Sequence, residues 1–103
     1  MITTYRLTPD ARTDLIEIRR YTVKQWGLAQ SQKYIAELRR TIHLLTVNPY
    51  LGKHRLDVGL DVLSFPHASH VIYYLLHEQQ LIVFGVLHKH RVPLNHLADR
   101  TVT

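Results

Sequence analysis

The fold is decided by the stretch HVIYYLLHEQQLIVFGVLH, residues 70–88. Residues 70–76 are almost continuously apolar and rich in β-branched and aromatic side chains, which predicts a strand that is central or buried on both faces. The polar residues 77–80 predict a hairpin turn, and 81–88 predict a second strand. Gly85 inside this strand indicates a bulge or a close approach of another group. The stretch therefore predicts an antiparallel hairpin at the centre of a sheet.

Two helices are predicted upstream of this hairpin. Thr8 can cap a helix over 9–26, in which apolar residues recur at helical spacing until Gly27 ends it. A second helical pattern covers 28–47 and ends before Pro49, because proline disfavours helical geometry in the residue before it. Since at most two residues separate the helices, we expect an antiparallel helical hairpin.

The remaining segments complete the predicted order. Residues 2–7 predict a first strand, 49–55 a loop, 56–65 a further strand, and 94–100 a short terminal helix. The order is then β-α-α-β-β-β, with two amphipathic helices on one face of a small, mainly antiparallel sheet. This is the α+β class, in one domain spanning 1–103.

Composition narrows the function classes. The chain has 103 residues, 46% of them hydrophobic, and no cysteine, so neither disulfides nor thiolate chemistry is expected. No apolar run reaches a membrane span, and the first residues lack the layout of a signal peptide, so we expect a cytoplasmic protein. Motifs for nucleotide hydrolysis, dinucleotide binding and serine-hydrolase chemistry are absent from the sequence. The net charge of +5 indicates an acidic partner, either nucleic acid or protein, or serves solubility alone.

Histidine is in excess, with eight residues, seven of which follow residue 52. In the predicted hairpin His70 lies roughly opposite His88, and His88 and His90 point to the same face. With His67 they make either an acid–base or phosphate-binding cluster, or a set of solvated strand-end side chains. No metal site is expected, because the spacing does not supply a tetrahedral ligand set.

Two basic segments flank the predicted sheet, Lys53-His54-Arg55 and Lys89-His90-Arg91. If both reach the same edge, they form a positive patch suited to a phosphate backbone or an acidic peptide. The alternative is that these loop charges serve solubility.

The arginine doublets on the two helices also have two possible interpretations. Arg19-Arg20 and Arg39-Arg40 are either solvated helix faces or docking sites for an acidic partner. Tyr73 and Tyr74 point to opposite faces of their strand, so at most one faces the helices. The other either packs on the sheet or is free to stack on a base or bind a partner.

Four segments, taken in order, carry a further pattern: TYRLTPDARTDLIEIRRYTVKQWG (4–27), AQSQKYIAELRRTIHLLTVNPYLGKHR (29–55), SHVIYYLL (69–76) and VLHKHRVPLNHL (86–97). They contain a DL step before YT…WG, a P-x-x-G-x-x-R loop, an HVIFY-type strand and a closing LHxxR…L segment. Over about residues 3–98 the chain thereby resembles the ParE toxins of the RelE/ParE toxin–antitoxin superfamily.

This resemblance implies a β-α-α-β-β-β fold and a bacterial toxin encoded beside a cognate antitoxin, usually of the ParD type. ParE toxins typically poison DNA gyrase, and the antitoxin covers the toxin with a flexible, acidic segment. The implied partners are therefore a ParD-like antitoxin and DNA gyrase, with DNA reached only through them. A hetero-oligomer with the antitoxin and no cofactor are expected.

Two departures from the family pattern bear on function. Gly59-Leu60-Asp61 stands where members usually carry Gly-x-Arg, and an aspartate there would repel the phosphate that the mRNA-cutting RelE branch holds. The closing segment of members often reads R-M-D or R-x-D after the histidine of LHxxR, and here Val92 replaces the acid. Because gyrase poisoning needs no catalytic set, we favour it over a ribosome-dependent mRNA endonuclease. Asp61 also leaves a third hypothesis, a decayed toxin that persists as antitoxin partner and co-repressor.

The candidate site residues fall into three sets. Those expected to contact the target are Lys53, Arg55, His88, Lys89, His90 and Arg91. Those expected to contact the antitoxin are Arg19, Arg20, Trp26, Arg39, Arg40 and Tyr73. For a nuclease, the catalytic set would be Lys53, Arg55, His88 and Arg91, with His67, His70 or His90 as further acid–base groups.

Overall fold

A computed structural model describes residues 4–102 of the chain. Its elements, in chain order, are β1 (Tyr5–Leu7), α1 (Pro9–Trp26), α2 (Leu28–Val47), a 3₁₀ turn (Pro49–Leu51), β2 (Lys53–His54), β3 (Leu63–His67), β4 (His70–His77), β5 (Gln80–His88) and α3 (Pro93–Leu97). The strands form one sheet in the order β1-β5-β4-β3-β2. β1 runs parallel to β5, and the other pairs are antiparallel. The predicted α+β class is confirmed.

The two long helices begin and end where the sequence predicts. The Thr8 hydroxyl accepts a hydrogen bond from the Ala11 amide at 3.2 Å, so α1 is capped by its own preceding residue. Gly27 lies between α1 and α2. Its φ angle is +88°, a backbone conformation that favours glycine. The Thr22 and Ser31 hydroxyls, 2.7 Å apart, then join the helices close to this turn.

The prediction of a strand over 56–65 is wrong for most of that range. Residues 56–61 form a turn, which is held by amide hydrogen bonds from Val58 and Gly59 to the Arg55 carbonyl oxygen. The strand β3 starts only at 63, and β2, inside the predicted loop, pairs with its first two residues. Residues 2 and 3 of the predicted first strand lie outside the described residues.

The sheet is covered on both faces, which explains why β4 and β5 are almost continuously apolar. The larger core lies between the sheet and helices α1 and α2, where Leu38, Ile42 and Tyr74 are fully buried. A smaller core lies on the opposite face, where Leu97 of α3 packs against Tyr73 and its neighbours. The two long helices therefore share one face, as predicted, and α3 closes the other.

The β4–β5 pairing contains a bulge. Tyr73 pairs with Gly85 and Tyr74 pairs with Val83, which leaves Phe84 as an extra residue on β5. A Cβ atom on Gly85 would lie 2.6 Å from Leu97 Cδ2. Gly85 therefore lies both beside a bulge and at a close approach, as the sequence predicts.

Candidate functional site

A groove runs along the surface formed by α1, α2 and β1. Its volume is ≈ 590 Å³, and its floor and walls are largely apolar, with contributions from Leu7, Leu15 and Ile35. Arginines from both helices line the same groove: Arg12, Arg19 and Arg39. We call it the arginine groove. Apolar walls with several guanidinium groups are suited to a peptide that carries both apolar and acidic side chains.

The arginine groove divides the two arginine doublets. Arg19 and Arg39 line it, whereas Arg20 and Arg40 are exposed outside its lining. Adjacent helical residues differ by about 100° in direction, and in each doublet the second arginine points away from the groove lining. Arg12 belongs to no doublet, and the sequence pattern did not single it out.

The two aromatic residues of the predicted antitoxin-contacting set occupy different environments. Trp26 is 48% exposed near the turn between α1 and α2, with its ring edge-to-face against Tyr34 at 5.7 Å. Tyr73 is only 3% exposed and packs in the smaller core with Leu97. The Arg55 guanidinium lies over the Tyr73 ring and the smaller core packs around it, so this ring is not an exposed contact surface, contrary to the expectation that it is free to bind.

The histidine cluster, defined as His67, His70, His88 and His90, lies at one end of the sheet. His70 pairs with His67 on one side and His88 on the other, as the hairpin prediction requires for His70 and His88. The ring centroids of His70 and His88 are 5.6 Å apart, and those of His88 and His90 are 5.1 Å apart. The four residues are therefore brought together, as the sequence suggests.

Helix α2 anchors the buried side of this cluster. The Tyr34 hydroxyl and His70 Nδ1 share a hydrogen bond of 2.6 Å, and the Thr41 hydroxyl lies 2.9 Å from His67 Nδ1. Burial, together with the neighbouring His88, His67 and Arg91, lowers the pKa of His70 to about 4. His70 is therefore neutral near pH 7 and acts there as a hydrogen-bonding group.

The basic segment at β2 carries a paired arginine. Arg55 donates to both carboxylate oxygens of Asp57, at 3.0 and 2.9 Å, and its guanidinium lies 5.4 Å from the centre of the Tyr73 ring. The hydrogen bond to Asp57 raises the pKa of Arg55, and the same bond lowers the pKa of Asp57. The positive charge of Arg55 is thus locally balanced, while Lys53 and His54 remain exposed.

The two basic segments do not meet at one edge of the sheet. Lys53 of β2 is level with Tyr73 of β4, to which it is linked through Ser64 of β3. His88 of β5 pairs instead with His70 of β4. Tyr73 and His70 are three residues apart along β4, which is roughly 10 Å. Across the sheet, β2 and β5 are separated by three strand spacings, which is roughly 14 Å. The candidate nuclease residues therefore separate into one group at β2 and another after β5. Asp61 lies exposed in the 56–61 turn.

A buried ion pair was missed by the sequence analysis. The guanidinium of Arg100 donates to both carboxylate oxygens of Asp14, and the Val86 amide donates to Asp14 Oδ2 at 2.9 Å. Arg100 also donates to the Phe84 carbonyl oxygen at 3.1 Å. The sequence gives one indication of a buried carboxylate, because Asp14 lies on the same apolar stripe of α1 as Ala11; in the structure it is 7% exposed. Its partner, 86 positions later, carried none.

Residues 4–102 offer neither a metal-binding cluster nor a membrane-spanning helix. That range contains no grouping of three or more histidine or acidic residues arranged to hold a metal ion. Helices in the same range are too short or too polar to cross a membrane.

Comparison with known proteins gives a consistent result. The family profile described as "ParE toxin of type II toxin-antitoxin system, parDE" matches residues 5–93. Toxin ParE of Escherichia coli is 33% identical over 96% of this chain and 97% of its own length. Toxin ParE1 of Mycobacterium tuberculosis is 30% identical over 86% of this chain and 92% of its own length.

Solved structures agree on the fold. A chain of the chromosomal ParDE TA system from P. aeruginosa superimposes with a TM-score of 0.74 and 13% identity, covering 84% of this chain and 96% of that one. The chain belongs to the ParE family and is the toxin component of a type II toxin–antitoxin system.

Proposed function

We propose that this toxin inhibits DNA gyrase by binding to its surface and that a ParD-like antitoxin neutralises it. The observation that carries the gyrase proposal is the separation of the candidate nuclease residues into two groups. A phosphodiester-cleaving site needs its acid, base and phosphate-binding groups around one phosphate. Lys53 and His88 lie on opposite sides of the sheet's centre, and Arg55 is paired with Asp57. A surface-binding inhibitor has no such requirement.

The target-binding surface is proposed at the loop after β5. Lys89, His90 and Arg91 are exposed there, and the Lys89 amide donates to the Ser69 carbonyl oxygen at 2.8 Å, which anchors the loop on the β3–β4 turn. Lys53 at β2 is a second, separate contact point. An exposed basic loop on a rigid sheet end is suited to an acidic surface of gyrase or of its bound DNA.

A supercoiling assay tests the gyrase proposal. Purified toxin should inhibit supercoiling by gyrase, and the triple variant Lys89→Ala/His90→Ala/Arg91→Ala should inhibit at least about tenfold less strongly. The control is Arg20→Ala, an exposed arginine outside the lining of both pockets. Unchanged gyrase activity at excess toxin contradicts the proposal. Codon-linked cuts in mRNA from expressing cells would support the endonuclease, and normal growth without antitoxin would support the decayed toxin.

For the antitoxin, the proposed contact surface is the arginine groove. An acidic segment that folds on binding can place apolar side chains against Leu7 and Ile35 and carboxylates beside Arg19 and Arg39. This placement agrees with the predicted position along the helical hairpin and adds Arg12 to the contacts.

The split of the arginine doublets supplies a charge-matched experiment. The variant Arg19→Glu/Arg39→Glu should weaken antitoxin binding at least about tenfold, because both carboxylates would face an acidic peptide. The variant Arg20→Glu/Arg40→Glu makes the same change in net charge outside the groove and should weaken binding by less than about threefold. Equal losses in the two variants, measured by calorimetry at fixed salt, would rule out the groove as the specific site.

A further inference from the structure

A second pocket lies between α1 and the half of β5 that β1 does not cover. Its volume is ≈ 370 Å³, and we call it the β5-edge pocket. Glu17 and Tyr21 line it from α1, His70 and His88 from the sheet, and His90 and Arg91 from the following loop. The volume lies at the lower end of the range for small-molecule sites.

One wall of the pocket is formed by His70, whose two ring nitrogens lie in different environments. His70 is 8% exposed, and its Nδ1 is occupied by the Tyr34 hydroxyl. Its other ring nitrogen, Nε2, is given no protein partner by any hydrogen bond of the described residues, and it is not fully buried; within those residues the fully buried side-chain polar atom without a partner is Nε2 of His67. Because His70 Nε2 can still be reached from the pocket, it is available to a hydrogen-bonding group of a bound molecule.

The charges around the pocket are asymmetric. Asp14 also lines it, but its carboxylate is compensated by Arg100 and by the Val86 amide. Glu17 is the second anion on the α1 side and forms no direct ion pair within the described residues, and Arg91 is the cation on the loop side. Tyr21, which also lines the pocket, is 60% exposed.

We propose that the β5-edge pocket binds a nucleotide. Arg91 and the imidazole of His90 supply cationic and N–H donors for a phosphate, as charge-assisted bonds require. The exposed ring of Tyr21 offers a face on which a base can stack. Glu17 can accept a hydrogen bond from an exocyclic amine, and His70 Nε2 supplies a neutral hydrogen-bonding group. The proposal goes beyond gyrase inhibition and does not depend on it.

Titration of the full chain with four probes tests this inference: AMP, adenosine, inorganic phosphate and a 5′-phosphorylated oligodeoxyadenylate. Binding is followed through the ring resonances of His70, His88 and His90 in NMR spectra. AMP should bind at least about tenfold more tightly than adenosine or phosphate alone, because it engages both ends of the pocket. Tighter binding of AMP indicates a free nucleotide, and tighter binding of the oligonucleotide indicates a strand end; both support the proposal.

Substitutions test the phosphate end and the base end of the bound nucleotide separately. Arg91→Gln should weaken AMP and phosphate alike by about tenfold, whereas Tyr21→Ala should weaken AMP at least about fivefold and leave phosphate unchanged. Lys33→Gln, an exposed residue of α2 outside the lining of both pockets, is the control and should change neither. All three side chains are exposed, and circular dichroism checks that each variant is folded. AMP binding no tighter than phosphate, an unchanged AMP affinity in Tyr21→Ala, or shifts confined to residues outside the pocket would overturn the proposal.

Discussion

Replacing Asp14 with Asn should destabilise the protein far more than its position near the start of α1 indicates. The Asp14 carboxylate is 7% exposed and accepts bonds from the Arg100 guanidinium and from the Val86 amide. The amide keeps the shape but removes the charge, which leaves Arg100 with a side chain 16% exposed and no counter-ion. Breaking a buried pair in this way costs about 3–5 kcal/mol. Because Arg100 retains its bond to the Phe84 carbonyl oxygen, we expect about 3 kcal/mol.

Urea denaturation followed by circular dichroism measures this loss. For a domain of this size, about 3 kcal/mol lowers Tm by roughly 12–20 °C. The control is Asp10→Asn, an exposed aspartate in the first turn of the same helix, with an expected cost of about 0.5 kcal/mol from the helix dipole. The double variant Asp14→Asn/Arg100→Met should lose less than the sum of the single changes. Equal costs for the Asp14 and Asp10 variants would refute the reasoning.

Three further changes follow from the core and the histidine cluster. The pKa of His70 is about 4 in the folded chain and about 6.5 in the unfolded chain, so the unfolded chain binds more protons between these pH values. The free energy of unfolding should therefore fall by roughly 2 kcal/mol as the pH is lowered from 6.5 to 4. In His70→Gln, urea denaturation over the same pH range should show a much weaker dependence of this free energy on pH. Tyr74→Phe should cost about 1–3 kcal/mol, because the Gly52 amide and the Pro49 carbonyl lose their partner, whereas Tyr50→Phe, 70% exposed, should cost almost nothing in the same urea assay. Gly85→Ala should cost about 1–3 kcal/mol in thermal unfolding, since its Cβ would overlap Leu97, and a Tm equal to that of the parent would contradict the close approach.

Features encoded by neighbouring residues were predictable from the sequence. Thr8 and Gly27 mark the ends of the helices through local capping and backbone geometry, and both boundaries were correct. The turn at 56–61 was mistaken for strand because its apolar residues alternate in a way that a strand also shows. Arg55 stabilises the turn, because its carbonyl oxygen accepts hydrogen bonds from two amides of the turn and its side chain forms an ion pair with Asp57.

Features that depend on tertiary packing were only partly predictable. The sequence identifies Arg19 and Arg39 as candidates but cannot separate them from their neighbours, because the direction of a helix face is set by what it packs against. Arg12 reaches the arginine groove for the same reason. The burial of Tyr73 depends on α3, a short helix whose docking no local pattern specifies.

The parallel pairing of β1 with β5 has a consequence for the synthesis of this toxin. Residues 5–7 lie beside 81–83, and the side chain at position 100 completes the pair with Asp14. A chain still on the ribosome therefore lacks the strand that its first strand needs, and contacts so distant in sequence form late. The first strand can therefore be paired only after residues 81–83 have been synthesised, and the buried carboxylate of Asp14 gains its counter-ion only after residue 100 has been added.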